Sequence, residues 1–149
     1  MLHFAVCDDE PYMLDRLSAQ ISECLAELDC RDFRLSRFSG GQALLEAGER
    51  FDLVFLDIQM DPPDGLETAK ALRRRGDGCL VVFLTVLRER VFDAFEVRAF
   101  DYLVKPADPR RLRRTLERAL EDLDRRRARS LLIQRGTAWE VVPLDEIAY

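Results

Sequence analysis

Leu53-Val54-Phe55-Leu56-Asp57 decides the fold: four consecutive apolar residues end abruptly on a carboxylate. A run this short, without alternation, fits a strand buried on both faces, as in a parallel sheet. Three further runs share the design. Leu2-His3-Phe4-Ala5-Val6-Cys7 ends on Asp8-Asp9, Leu80-Val81-Val82-Phe83-Leu84 ends on Thr85, and Phe100-Asp101-Tyr102-Leu103-Val104 ends on Lys105-Pro106. As parallel strands of one sheet they would bring three carboxylates, a hydroxyl and an ammonium to its C-terminal edge, where open α/β sheets bind ligands.

Helix-period segments separate these runs. Leu14, Leu17, Ile21, Cys24, Leu25 and Leu28 recur at helical spacing behind Pro11, a residue suited to a first helical turn. Phe33 to Phe38 alternates as a short strand, and Ser39-Gly40-Gly41 breaks the chain before a short helix holding Ala43, Leu44, Leu45 and Ala47. Gly65 opens a helix through Leu66, Ala69, Lys70 and Leu72 whose basic end, Arg73-Arg74-Arg75, suits the helix dipole. A helix through Val91, Phe92 and Phe95 leads to the fifth strand. From about Asp108 a long helix presents Leu112, Leu116, Ala119, Leu120 and Leu123. Five strands alternating with five helices predict an α/β fold: a doubly wound, flavodoxin-like, five-stranded parallel sheet with helices on both faces. Its order, 2-1-3-4-5, would make the first and third strands neighbours and bring Asp8 and Asp9 to Asp57.

Length and composition set the outer bounds. With 149 residues, 48% hydrophobic and 34% charged, the chain suits one globular core and is too short for two full domains. No apolar stretch approaches the roughly 20 residues that span a bilayer, so no membrane role is expected. Met1-Leu2-His3-Phe4 lacks the basic and apolar segments of a secretory signal, which predicts a cytoplasmic protein. Cys7, Cys24, Cys30 and Cys79 have no metal-ligand spacing and are expected to be free thiols. The net charge of −5 is unevenly placed: acidic residues dominate up to Asp108, and arginines from Arg110 to Arg129. Glu117, Glu121, Asp122 and Asp124 interleave with those arginines at helical spacing, which favours a solvated helix face over a nucleic-acid patch.

Crowded carboxylates repel unless a cation offsets them. Hard oxygen donors with vacant positions suit Mg²⁺. An aspartate beside that metal can act as a nucleophile toward phosphorus and form an acyl phosphate. Lys105 and the Thr85 hydroxyl would then meet the oxygens of the transferred group. Taken singly, each residue has an ordinary reading: a helix cap for Asp8 or Asp9, a plain strand end for Thr85, a solvated tip for Lys105. Four complementary strand ends in this order argue for a site.

Phe4-Ala5-Val6-Cys7-Asp8-Asp9-Glu10, Asp52 to Met60, Val82-Phe83-Leu84-Thr85 and Phe100 to Pro106 resemble the receiver domain of two-component response regulators over residues 1–125. The resemblance implies that Asp57 is the phosphoacceptor and that Asp8, Asp9 and Asp57, with the Gln59 carbonyl, bind Mg²⁺. It further implies that Thr85 and Lys105 contact the phosphoryl group, and that the Lys105-Pro106 peptide is cis. Tyr102 matches a switch aromatic that moves inward with Thr85. A sensor histidine kinase would be the donor, with homodimerisation on phosphorylation through the surface of the fourth helix, fifth strand and last helix. The chain would show only self-phosphorylation and slow self-hydrolysis and would not be a turnover enzyme. Two positions depart from the family pattern. Asp61 stands where a proline is common and is expected to face solvent, and Val86 stands where alanine is common and is expected to narrow access to the site.

Residues 126–149 read as a linker followed by strand-like segments, Ser130 to Gln134 and Val141 to Tyr149, similar to the opening of a LytTR-type DNA-binding domain. The expectation is a piece of a longer transcriptional regulator that binds DNA through the rest of that domain. The alternative reading is an aspartyl-phosphate phosphatase or phosphotransferase of haloacid dehalogenase type. That family carries a second Asp two residues after the nucleophile, where this chain has Gln59. His3, the only histidine, begins the first strand and has no expected metal or relay role.

Overall fold

A computed structural model describes residues 1–134. The strands are β1 (Leu2–Cys7), β2 (Phe33–Phe38), β3 (Leu53–Leu56), β4 (Leu80–Thr85) and β5 (Asp101–Val104). They alternate with α1 (Pro11–Glu27), α2 (Gly41–Glu46), α3 (Gly65–Arg74), α4 (Val91–Glu96) and α5 (Pro109–Gln134), and a 3-10 turn at Arg88–Arg90 precedes α4. The strands form one parallel sheet in the order β2-β1-β3-β4-β5, as the sequence pattern predicts. The described chain divides into two units, Met1–Leu116 and the part from Glu117 onward. The whole sheet belongs to the first.

Burial explains the composition of each strand. Every residue of β3 and β4 is buried, so β3 is apolar throughout and β4 up to its last residue, Thr85. The edge strand β2 is only half-buried and mixes polar with apolar residues. Ala5, Cys7, Val54, Leu56, Val81 and Phe83 share one core with Leu66, Ala69 and Leu72 of α3. The alternate strand residues Phe4, Val6, Leu53, Phe55, Val82 and Leu84 are buried too, because successive side chains point to opposite faces. Helix α1 presents Leu14, Leu17, Ser18, Ile21, Cys24 and Leu25 to the interior and packs on β1 and β2.

Local chemistry sets the helix boundaries. Pro11 occupies the first turn of α1. Asp64 caps α3 in a reciprocal pair: its carboxylate accepts from the Glu67 amide at 2.8 Å, while the Glu67 side chain accepts from the Asp64 amide at 2.9 Å. The Asp108 carboxylate accepts from Arg110 N–H at 3.0 Å ahead of α5. One expectation fails here. Ser130 to Gln134 reads as a strand but continues α5. The segment holds no glycine or proline before Gly136, and Asp122 pairs with Arg125 and Arg126 along the preceding helix surface, so nothing stops the helix. The strand-like segment Val141 to Tyr149 lies outside the described residues.

Candidate functional site

The sheet ladders run one hydrogen bond past the strand ends, and that extra bond seats each polar residue. Asp8 N–H donates to the Phe38 carbonyl and Asp57 N–H to the Cys7 carbonyl, both at 3.1 Å; Lys105 N–H donates to the Thr85 carbonyl at 2.9 Å. The side chains follow from this register. Lys105 Nζ lies 2.6 Å from Asp8 Oδ2 and 2.9 Å from Asp57 Oδ2, one ammonium shared by two buried carboxylates. Burial alone would lower the Lys105 pKa, but hydrogen bonds and charge from Asp8 and Asp57 outweigh it and leave the group raised. The second oxygen of each carboxylate is fixed by backbone: Asp8 Oδ1 accepts from Glu10 N–H at 3.0 Å, and Asp57 Oδ1 from Gln59 N–H at 3.1 Å.

These residues form the floor of an open cleft of about 650 Å³, rimmed by Asp9, Glu10, Gln59, Asp61 and Val86. Asp9 does not join the floor. Its Oδ2 accepts from Asp61 N–H at 3.3 Å, so its carboxylate turns toward the loop after β3. Among the described residues, no three His, Cys, Asp or Glu side chains are gathered closely enough to hold a metal ion. The donor set nevertheless fits a hard cation. Asp8, Asp9 and Asp57 offer carboxylate oxygens beside the Gln59 backbone, and each oxygen that accepts one hydrogen bond keeps a second lone pair for a ligand. Asp61 is exposed, as expected, and Val86 lines the cleft with 58% of its surface open.

Thr85 lies elsewhere. It is fully buried, and its Oγ1 accepts from Leu87 N–H at 3.3 Å. The carbonyl of the same Leu87 accepts the Tyr102 hydroxyl, and the Tyr102 ring packs against Phe83 with centroids 6.2 Å apart. One residue thus ties Thr85 to Tyr102 through its backbone. The Lys105-Pro106 peptide is cis, and so is Pro62-Pro63, which the sequence reading did not anticipate.

Close packing supports the floor from beneath. Gly65 lies so near the Asp57 backbone that any side chain there would collide with the Asp57 carbonyl. Below Asp8, the Cys7 thiol touches Met60 Sδ at 3.8 Å; burial and the Asp8, Asp57 and Asp9 charges push it up to about 12, so it stays protonated. Arg73 escaped the sequence reading, which took it as part of a basic helix end. Its guanidinium donates to the carbonyls of Val97, Asp77, Cys79 and Arg98, which ties α3 to the entrances of β4 and β5. Helical phase gives the available clue, since Arg73 follows Ala69 by four residues on the buried side.

Comparison with known proteins agrees with this geometry. Residues 4–117 match the response regulator receiver domain. An uncharacterized response regulatory protein of Vibrio cholerae is 36% identical over 122 residues, 80% of this chain and 45% of the relative. The sensory transduction protein LytT of Bacillus cereus is 34% identical over 123 residues, 79% of this chain and 47% of the relative. The chain spans about half the length of the curated relatives it matches. The response regulator TrrA of Thermotoga maritima, solved in complex with Mg²⁺-BeF, superposes with a TM-score of 0.68 at 25% identity, over 80% of this chain and 99% of that one.

Proposed function

Because this chain belongs to the response regulator receiver family, we propose that it is a phosphorylation-controlled switch that accepts a phosphoryl group on Asp57 from a sensor histidine kinase. The observation that carries this reading is the Lys105 ammonium held between Asp8 and Asp57 on the floor of the cleft. In the transfer, an Asp57 oxygen forms the new bond to phosphorus while the donor's P–N bond breaks, and the imidazole leaves with a proton. Gln59 N–H keeps one Asp57 oxygen in place, and Lys105 is positioned to follow the phosphoryl oxygens once Asp57 is esterified. Asp8, Asp9, Asp57 and the Gln59 carbonyl would hold Mg²⁺, in keeping with the Mg²⁺-BeF complex of the Thermotoga protein. When bound, the ion offsets negative charge on the transferring group.

The output begins at Thr85. A phosphoryl oxygen that accepts from the Thr85 hydroxyl draws that side chain toward Asp57 and away from Leu87 N–H, and the Leu87 carbonyl in turn holds Tyr102. The covalent group therefore biases two packings of the stretch from Thr85 to Tyr102 by its differential contacts. In this reading residues 1–125 are the receiver, and 126–149 lead into a LytTR-type DNA-binding domain of a longer regulator. That regulator dimerises on phosphorylation and acts in the cytoplasm. The sensory transduction protein LytT, of which the matched stretch is only 47%, supports a longer parent protein.

The test is intact-protein mass after incubation with phosphoramidate or acetyl phosphate and Mg²⁺, for the wild type and Asp57→Ala. One phosphoryl adduct that needs both Asp57 and the metal is expected. Steady turnover of a generic phosphomonoester, or an adduct that survives Asp57→Ala, would overturn the assignment.

A further inference from the structure

Five carboxylates, from Asp8, Asp9, Glu10, Asp57 and Asp61, line the cleft against a single ammonium, Lys105. Lys105 is committed to the two floor carboxylates. Asp9, Glu10 and Asp61 are exposed on the rim, and among the described residues none of them forms an ion pair. One divalent cation would still leave the cleft negative. A concave surface of one sign acts on every charged species that enters, and acts more strongly on a dianion than on a monoanion. Asp9 belongs to the proposed metal site, and Glu10 is tied through its backbone to Asp8. Asp61 has no part in the transfer, yet it lines the mouth of the cleft beside Gln59 and Met60.

We propose that Asp61 selects the phosphodonor: its carboxylate disfavours small dianionic donors and so favours a phosphoryl group delivered on the imidazole of a protein. A protein donor can bring its own cationic groups to the rim, whereas a free acyl phosphate cannot. This inference rests on the phosphoacceptor reading of Asp57.

The experiment compares the wild type with Asp61→Asn, a surface substitution. Adduct formation is timed by intact mass with dianionic acetyl phosphate and with monoanionic phosphoramidate. Mg²⁺ is saturating, its affinity for each protein having been measured by titration calorimetry. At low ionic strength, Asp61→Asn should raise the acetyl phosphate rate constant about 3- to 10-fold and the phosphoramidate rate constant less. The difference between donors should vanish in about 0.5 M salt. Equal changes with both donors, or no change with either, overturn the role of Asp61 while an Asp57-dependent wild-type adduct keeps the switch intact. Absence of a wild-type adduct from both donors overturns the switch, and the selectivity with it.

Discussion

Val86 follows Thr85 directly, yet the two side chains part company: Thr85 is fully buried, while Val86 stands open on the cleft wall. Val86→Ala should therefore speed both phosphorylation by a small donor and hydrolysis of the product, each by about threefold, since entry and water access widen together. Time courses of the intact-mass adduct measure both, and unchanged rates would remove Val86 from access control. Unfolding free energy should shift by less than about 0.5 kcal/mol, as for other exposed positions. At this scale the floor was legible in the sequence. Asp8, Asp57 and Lys105 each terminate a hydrophobic run, and a strand end fixes where its next side chain goes. The pairing of Thr85 with Tyr102 came only from the family resemblance, and its route was not legible, because it passes through the backbone of Leu87, and a peptide group looks the same beside any side chain.

Between elements, Arg73 does what no hydrophobic pattern announces. Four backbone carbonyls from two separate stretches converge on its guanidinium. Desolvation by burial lowers the pKa of this group, yet it stays a cation fixed by neutral acceptors. Arg73→Met keeps the packing of the stem and leaves those carbonyls without their donor. The expected loss is about 2–4 kcal/mol of unfolding free energy, read as a lower urea midpoint, whereas Arg74→Met on the exposed side should cost less than about 0.5 kcal/mol. The order of strands and helices was readable because periods of 2 and 3.6 differ sharply over segments of this length. The end of α5 was not. Apolar Leu131, Leu132 and Ile133 suit a strand or a helix equally, and the absence of a breaker decided for the helix.

For the folded domain as a whole, acid resistance has an identifiable contributor. Asp101 on β5 accepts from Thr115 Oγ1 at 2.6 Å, from its neighbour Tyr102 N–H at 2.8 Å and from Arg111 at 2.6 Å. Burial would raise its pKa, but these bonds and the Arg111 charge outweigh burial and hold the carboxyl below its ordinary value. A carboxylate depressed in the folded state stabilises it above the unfolded pKa of about 3.9, and that contribution fades as pH falls through the folded value. Asp101→Asn should thus cost stability near neutral pH, with the gap from wild type closing below about pH 4. Denaturant unfolding at a series of pH values would show it, and a gap constant with pH would exclude the carboxylate as its source. The Lys105 bridge carries a different consequence, one of timing. Its bond to Asp8 joins positions 97 apart in sequence, so the first strand is made long before its partner. A chain emerging from the ribosome carries Asp8 and Asp57 while the lysine between them is still unmade. In the proposed switch, nascent and prematurely terminated chains would lack this lysine, so phosphoryl transfer would wait for completion of all five strands.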